Sequence, residues 1–205
     1  MAPLFDYERL ERPGVFVYGK ISVMFIDIVG FTKYGDNEAL REAARGVHNA
    51  INDIFEKIEW DVSLMHKPNG AIMMPTGDGY GIGFEPSVVE DREILDYAVK
   101  LSNRMKKEGR PVRIGISHGP CYIHKDLNGT MNLSGWGVID AERAMSFGGK
   151  NHILVEQSFA KPLLDQKADP NLRPIGKYRA KHGRVVELYN YRSSEFGNKT
   201  LPKSQ

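Results

Sequence analysis

The sequence predicts an α+β fold of ferredoxin-like type, and three observations lead to this prediction. Apolar β-branched segments and amphipathic helical segments follow one another in the order strand, helix, strand, strand, helix, strand. The chain has 205 residues, enough for one domain with a substantial core. Neither an internal repeat nor a low-complexity tract marks a second domain. We therefore expect a βαββαβ core with a small C-terminal subdomain.

The first strand and the first helix have the clearest patterns. Residues 15–28 are dense in β-branched and aromatic side chains, with a polar break at Gly19-Lys20, and predict a strand. Asp36 or Asn37 can cap a helix that runs to about Glu59. Its apolar residues repeat at helical spacing: Leu40, Ala44, Val47, Ala50, Ile51, Ile54 and Ile58.

Shorter patterns predict the remaining elements. A turn at Pro68-Asn69-Gly70 joins two expected strands, and Gly148-Gly149 ends the third helix. In chain order, strands are expected at 60–66, 71–74, 80–84 and 112–117. A further strand is expected to start at about Gly119, and the last ones at 152–155, 173–180 and 184–191. Helices are expected from Pro86 to about Met105, at 138–147 and at 157–164.

The ends of the chain differ in composition from its middle. Residues 1–15 read as an N-terminal arm that ends at the breaker pair Pro13-Gly14, and residues 192–205 as a loose polar tail. The domain between them spans 16–191.

Composition excludes several classes of protein. The 28 Lys and Arg residues nearly balance the 26 Asp and Glu residues, so the net charge of +2 predicts no attraction to nucleic acid or anionic membranes. Cys121 is the only cysteine, which excludes an intrachain disulfide and fits a reducing compartment. The first residues lack a signal-peptide pattern, and no apolar run approaches the roughly 20 residues of a membrane helix. We expect a cytoplasmic protein.

Two aspartates lie where predicted strands end. Asp27 closes the first apolar strand, and Asp78 lies in a Gly-Asp-Gly turn between two others. A carboxylate at the end of a buried strand is costly unless a cation meets it. Either aspartate alone is better explained as an ordinary strand-ending or turn residue. Together at one edge of a sheet, they predict divalent cations and phosphoryl chemistry.

Two further segments fit phosphate binding but allow plainer explanations. Gly30, with Phe31 and Thr32 after it, lets backbone N–H groups approach an anion, yet a strand-to-helix turn also requires a glycine. Arg143 lies in the first two turns of the helix predicted at 138–147. It could reach a phosphoryl group or simply lie in solvent, as surface arginines commonly do.

Four segments, taken in order, resemble the motifs of class III nucleotide cyclases. They are residues 25–32 (FIDIVGFT), 77–78 (GD), 112–120 (VRIGISHGP) and 138–143 (VIDAER) followed by 153–155 (ILV). The resemblance runs from about Val17 to Tyr191. Four motifs in the right order are specific, although none of them alone would be. The resemblance implies a fold of the class III nucleotide cyclase type.

This resemblance implies a two-metal mechanism. Two Mg²⁺ or Mn²⁺ ions would be held by Asp27 and Asp78, with the carbonyl group of Ile28 assisting. The ribose 3′-oxygen would attack the α-phosphate, and pyrophosphate would leave. The other implied roles are triphosphate binding by Gly30, Phe31, Thr32 and Lys181 (with Lys177 as second candidate) and transition-state stabilisation by Arg143.

The resemblance also implies a head-to-tail homodimer with shared active sites. Asp27 and Asp78 would come from one chain, and Asn132 and Arg143 from the other. Twofold symmetry would create two equivalent sites.

The chain departs from the family at the residues that read the base. Met74, four residues before Asp78, replaces the Lys of adenylate cyclases and the Glu of guanylate cyclases. Asn132 replaces the second base-reading residue, which is Asp or Thr in the former and Cys in the latter. Ile139, four residues before Arg143, replaces the Asn that orients the ribose. The purine-reading pair is therefore absent, while the metal and phosphate residues remain.

Three explanations for this pattern stay open: a degenerate domain, an adenylate cyclase that reads adenine differently, or an enzyme for a pyrimidine. The amide of Asn132 can pair with uracil or, after a flip, with cytosine, and Met74 would be an apolar wall. The pattern resembles the pyrimidine cyclases of the bacterial Pycsar antiphage system, whose cyclic UMP or cyclic CMP signals to a separate effector protein. We expect conversion of UTP to cyclic UMP. The alternatives are a cytidylate or adenylate cyclase, or a non-catalytic nucleotide-binding module.

Overall fold

The computed structural model describes residues 10, 14–33, 35–55, 70–166, 169–180 and 183–202. The strand expected at 60–66, the first two residues of the Pro68-Asn69-Gly70 turn, Lys181 and most of the N-terminal arm lie outside these residues. The strands are β1 (Val17–Ile28), β2 (Ala71–Pro75), β3 (Gly79–Phe84), β4 (Val112–Lys125), β5 (Met131–Gly135), β6 (Ile153–Glu156), β7 (Leu172–Arg179) and β8 (Val185–Tyr191). The helices are α1 (Asn37–Phe55), α2 (Asp91–Lys107), α3 (Trp136–Phe147) and α4 (Gln157–Asp165), with a 3₁₀ turn at Phe31–Lys33.

The described strands form one mixed sheet, which confirms the predicted α+β class. The order is β2-β3-β1-β4-β6-β8-β7, and β5 pairs with β4 outside this path. The first four strands have the arrangement expected of a ferredoxin-like core. Because β6 pairs in parallel with β4 and β8 pairs with β6, the C-terminal strands extend the same sheet beyond the core.

The central ladder between β1 and β4 is longer than the sequence predicts. It runs without interruption from the pair Val17 and Ile123 to the pair Ile28 and Val112. The predicted polar break at Gly19-Lys20 is wrong, since these residues pair with Cys121 and Pro120. The prediction of two strands around Gly119 is wrong for the same reason. Pairing over the whole ladder outweighs the local preference of glycine and proline for turns.

Of the first two helices, α1 begins as predicted and α2 does not. Asp36 caps α1 as expected, because its Oδ1 accepts a 2.7 Å hydrogen bond from the N–H of Ala39. In contrast, α2 begins at Asp91 and not at Pro86. Residues 85–89 form a turn in which the N–H groups of Val88 and Val89 both donate to the carbonyl of Glu85. A capping box between Glu90 and Glu93 then starts the helix.

Alternation along β1 divides the core between the two faces of the sheet. Met24, Ile26 and Ile28 pack against α1, α2 and α4, while Ile21, Val23 and Phe25 pack with β5 and α3. On the second face, a Cβ atom at Gly115 would lie 2.2 Å from the carbonyl oxygen of Ala141. The backbone of α3 therefore touches β4 only because residue 115 has no side chain.

The C-terminal segment is packed onto the sheet over its described part, and the prediction of a loose tail is wrong for these residues. His152 Nε2 donates to the carbonyl of Thr200 at 2.9 Å. Asn190 Nδ2 donates to the carbonyl of Asn198 at 2.7 Å, and Asn198 Nδ2 donates to Lys150. These hydrogen bonds join the segment to the β6 and β8 region.

Within the described part of the chain, none of the helices combines the length and the apolar character needed to span a membrane.

Candidate active site

The two aspartates singled out from the sequence meet at the end of β1. Asp27 pairs with Gly79 in the β1–β3 register, and the N–H of Ile28 donates to the carbonyl of Asp78 at 3.2 Å. A Cβ atom at Gly79 would lie 1.8 Å from the carbonyl oxygen of Ile26. Only a glycine allows the β2–β3 turn to approach β1 this closely, and this approach brings Asp78 beside Asp27.

The two carboxyl groups share a confined space. Asp27 is only 6% exposed, and burial raises its pKa to about 6. A hydrogen bond with the Asp78 carboxyl group and the charge of Asp78 also raise this pKa, whereas Arg113 lowers it. A buried carboxyl group that lies beside a second carboxyl group is a site at which a divalent cation would stabilise the ionised form of Asp27.

The two carboxyl groups suit a Mg²⁺ or Mn²⁺ ion that takes its other ligands from water and substrate. They do not suit a metal ion held only by protein side chains. Among the described residues, no group of three or more His, Cys, Asp or Glu side chains is placed to hold a metal ion. Mg²⁺ commonly binds through one or two carboxylates and takes its other ligands from water and substrate phosphates. Asp27 and Asp78 meet this requirement, while the role of the Ile28 carbonyl stays a prediction.

The backbone conformation of the loop after Asp27 favours a glycine at position 30. Gly30 has φ +83°, in the left-handed region that favours glycine. The N–H of Val29 donates to the carbonyl of Pro111, and that of Lys33 donates to the carbonyl of Gly30. Phe31 packs against the core, whereas Thr32 is exposed. The turn accounts for Gly30, and triphosphate binding by residues 30–32 stays a prediction.

Arg113 is a residue of the site that the sequence did not reveal. Its Nε donates to Oδ2 of Asp27 at 2.6 Å, and its Nη1 donates to the carbonyl of Ser146, near the end of α3, at 3.3 Å. The side chain is 31% exposed, so it is partly accessible to solvent beside the carboxylates. The available signal was a charged residue within an apolar strand, but its partner depends on the β1–β4 register.

Arg143 lies on α3 within a second cluster of charges. Its Nη1 lies 3.5 Å from Oδ1 of Asp140, and its guanidinium is 5.8 Å from the ring centroid of Trp136. Arg184, the residue before β8, donates to both carboxylate oxygens of Asp140 at 2.9 and 2.5 Å and stacks on Trp136 at 4.2 Å. These contacts of Arg143 are to its own helix and not to Asp27 or Asp78.

The predicted base-side residues occupy different surroundings. Met74 is 9% exposed and belongs to the apolar cluster of Phe25 and Leu133, on the α3 face of the sheet. Asn132 alternates along β5 with Met131 and Leu133, which face this cluster, so its side chain lies on the other side of the strand. Its Oδ1 accepts a hydrogen bond from the N–H of Leu133. The structure thus brings β2 and β5 together but separates the side chains of Met74 and Asn132.

The remaining predicted residues are only partly placed. Ile139 is half-buried on α3, one turn before Arg143. Lys177 is exposed on β7, opposite Glu187. Lys181, the preferred candidate for the triphosphate, lies outside the described residues.

A mixed sheet built on a ferredoxin-like core is the fold of nucleotide cyclase catalytic domains of known structure. The chain belongs to the adenylate and guanylate cyclase catalytic domain family, whose sequence profile matches residues 16–190. The predicted resemblance to class III nucleotide cyclases is therefore confirmed at the level of the family.

Individual relatives agree with this assignment. The aggregation-specific adenylate cyclase of Dictyostelium discoideum is 29% identical over an alignment of 167 residues, and the match covers 76% of this chain but only 11% of that protein. The adenylyl cyclase CyaB from P. aeruginosa has a similar structure, with a TM-score of 0.71, 21% identity and coverage of 88% of this chain and 97% of the other. The guanylate cyclase domain of RhGC from Catenaria anguillulae, solved in complex with GTP, has a TM-score of 0.66 and 19% identity. This match covers 90% of this chain and 97% of the other.

Proposed function

We propose that this domain converts UTP to 3′,5′-cyclic UMP and pyrophosphate. The observation that carries the reaction type is the convergence of Asp27 and Asp78 at one sheet edge, with Arg113 bonded to Asp27. The ribose 3′-hydroxyl group gives its proton to solvent and its oxygen forms a bond to the α-phosphorus. The bond from this phosphorus to the bridging oxygen of the β-phosphate breaks, and pyrophosphate leaves.

The carboxylates would hold two divalent cations, Mn²⁺ or Mg²⁺, which supply charge neutralisation and lower the pKa of the 3′-hydroxyl group. Arg113, partly exposed beside them, adds a fixed positive charge at the same edge of the sheet. The backbone of residues 30–32 and a lysine of the β7–β8 region, Lys181 or Lys177, would bind the triphosphate.

A head-to-tail homodimer would complete each site. Arg143 contacts Asp140 and Trp136 of its own helix. In the proposed dimer, α3 of the second copy supplies the arginine that contacts the phosphates. Met74 packs with Leu133 of β5 in one chain. The base side, including Asn132, would then come from the chain that contributes Arg143, and the carboxylates from its partner.

The surroundings of Met74 support a pyrimidine substrate. A thioether among Phe25, Leu133 and Met131 offers an apolar wall and no hydrogen-bond donor for a purine ring. Loss of purine readout together with retention of both aspartates and the arginine favours a changed substrate over loss of activity. A UTP-derived product would act as a second messenger in antiphage defence, read by a separate cyclic-nucleotide effector.

Incubation with each of the four nucleoside triphosphates and Mn²⁺ tests the proposal. Cyclic UMP as the main product supports it, and cyclic CMP or cyclic AMP would reassign the base. Tight nucleotide binding with no cyclic product from any substrate would identify a non-catalytic module.

A further inference from the structure

One carboxylate on α3 faces two arginines. Asp140 is buried, and Arg143 follows it at a spacing of three residues, which on a helix normally favours an ion pair. Arg184 approaches the same carboxylate from the segment before β8. Three charged groups, two positive and one negative, therefore lie at one place.

Arg184 makes closer contacts with the carboxylate of Asp140 than Arg143 does. Its Nε and Nη2 donate to the two different oxygens of Asp140 at 2.9 and 2.5 Å, a bidentate arrangement. Its guanidinium also stacks on the exposed ring of Trp136 at 4.2 Å. Arg143 lies farther from both groups, at 3.5 Å from Asp140 and 5.8 Å from the Trp136 centroid.

Arg143 is left with unused hydrogen-bonding capacity. Its Nη1 is one of three buried side-chain polar atoms that lack a hydrogen-bond partner in the described part of the chain. An unpaired buried donor is costly, and a charged one more so. Such a group gains free energy when an anion reaches it, and it can leave its present position without breaking a strong hydrogen bond.

We infer that Arg184 is a positioning residue: it occupies Asp140 and thereby keeps Arg143 available for the substrate phosphate. Without Arg184, the carboxylate of Asp140 would turn to Arg143 and hold it on its own helix. The inference rests on the proposed function, in which Arg143 contacts the α-phosphate. It adds Arg184, Asp140 and Trp136 to the residues that determine the rate.

A pair of variants tests this competition. We expect Arg184→Met to lower kcat about tenfold, a partial loss of the roughly 10²–10³ that one transition-state donor can supply. Because Arg143 acts on the transition state, KM should change little. Adding Asp140→Asn to Arg184→Met removes the competing charge, so the double variant should be several times more active than Arg184→Met alone.

A purely structural role for Arg184 gives the opposite order, with the double variant no more active than the single one, and this result would overturn the inference. Arg184→Lys can neutralise Asp140 but cannot bind it in a bidentate manner, so we expect an intermediate kcat. Arg173→Met, which removes an exposed arginine from β7, is the matched control and should behave like the unaltered protein. Thermal unfolding of each variant shows whether it is folded at the assay temperature.

A readout without turnover separates this inference from the proposed function. In a crystal structure of Arg184→Met, the 3.5 Å separation between Arg143 Nη1 and Asp140 should shorten to a hydrogen bond. If the unaltered chain forms no cyclic product, the proposed function fails while this structural expectation stands. If Arg143 keeps its distance from Asp140, the inference fails whatever the substrate is.

Discussion

Arg113 donates a hydrogen bond of 2.6 Å from its Nε to Oδ2 of Asp27, across the β1–β4 ladder. The guanidinium is the cation that a carboxylate at the end of a buried strand requires. A divalent ion bound by Asp27 and Asp78 would share this carboxylate with Arg113. The arginine and the ion therefore repel each other while they stabilise the same group.

This repulsion can be measured with Arg113→Met. At pH 8, Mn²⁺ should raise the melting temperature of the variant by about 2–4 °C more than that of the unaltered protein, which corresponds to about 1 kcal/mol for a chain of this size. Differential scanning fluorimetry with and without MnCl₂ gives the two shifts. Arg45→Met, which removes an exposed arginine paired with Glu42, should leave the shift unchanged. An equal or smaller shift for Arg113→Met would show that Arg113 and the ion do not compete.

The raised pKa of Asp27 predicts a pH-dependent effect of Asp27→Asn on the metal-free protein. The pKa is about 6 in the folded chain against 3.8 for an ordinary aspartate, so the folded state binds more protons between these values. The contribution of Asp27 to stability is present below pH 4 and is lost as the pH rises toward 6 and above. Asparagine resembles the protonated acid and lacks this loss.

Melting temperatures in EDTA at pH 5 and pH 7.5 check this prediction. The difference between Asp27→Asn and the unaltered protein should be more favourable to the variant at pH 7.5. Asp36→Asn, which changes the exposed cap of α1, provides a comparison away from the site. A difference that does not vary with pH would contradict a raised pKa for Asp27.

Shared active sites predict complementation between inactive chains. Asp27→Ala lacks a metal ligand and Arg143→Ala lacks the proposed transition-state contact, so each chain alone should be inactive. After equal mixing, half of the dimers are mixed and carry one intact site, which gives about one quarter of the original activity. Cyclic-nucleotide formation after denaturation and joint refolding measures it. No recovery would place Asp27 and Arg143 in the same site of one chain.

The double variant Met74→Lys with Asn132→Asp tests base selection. It introduces the polar residues of adenylate cyclases, and we expect the ratio of UTP to ATP turnover to fall at least about tenfold. Since Met74 is nearly buried, an ammonium group there requires a partner, and a folding check must accompany the assay. Met74→Leu keeps the apolar wall and should retain the original preference. An unchanged ratio in the double variant would remove both positions from base selection.

Gly79→Ala tests the close approach that brings the two aspartates together. Its Cβ would meet the carbonyl of Ile26 at 1.8 Å, and backbone atoms yield little, so we expect a loss of about 3 kcal/mol. Urea unfolding measures the free energy. Gly35→Ala, whose Cβ would meet nothing within 4 Å, should change it by less than about 0.5 kcal/mol. Similar values for the two variants would mean that β1 and β3 can separate freely.

Much of the fold and the carboxylate pair could be predicted because they depend on local patterns. The helical stripe and Asp36 determine α1, and a dense run of β-branched and aromatic residues determines β1. Asp27 and Asp78 end neighbouring strands, so their convergence follows from the order of elements. The strand β5 was not predicted, because it is short and two of its five residues, Asn132 and Ser134, are polar, although its partners on β4 are near in sequence.

The arginine contacts could not be predicted from local sequence. Arg113 meets Asp27 through a register between residues 86 positions apart, and Arg184 meets Asp140 across 44 positions. Surface arginines are common, and nothing near Arg184 in the sequence indicates a buried carboxylate. Long-range pairing of this kind depends on tertiary packing, which no periodicity records.

At Gly115 the backbone of β4 packs directly against the backbone of α3, with no side chain of residue 115 between them. Arg113 lies on β4 and Arg143 lies on α3. A hydrogen bond from Arg113 to the carbonyl of Ser146 also joins the strand to the helix. In the proposed twofold dimer these arginines serve opposite sites. Substrate bound at one active site would thus affect the position of the arginine that serves the other site, so the two sites of a dimer need not turn over independently.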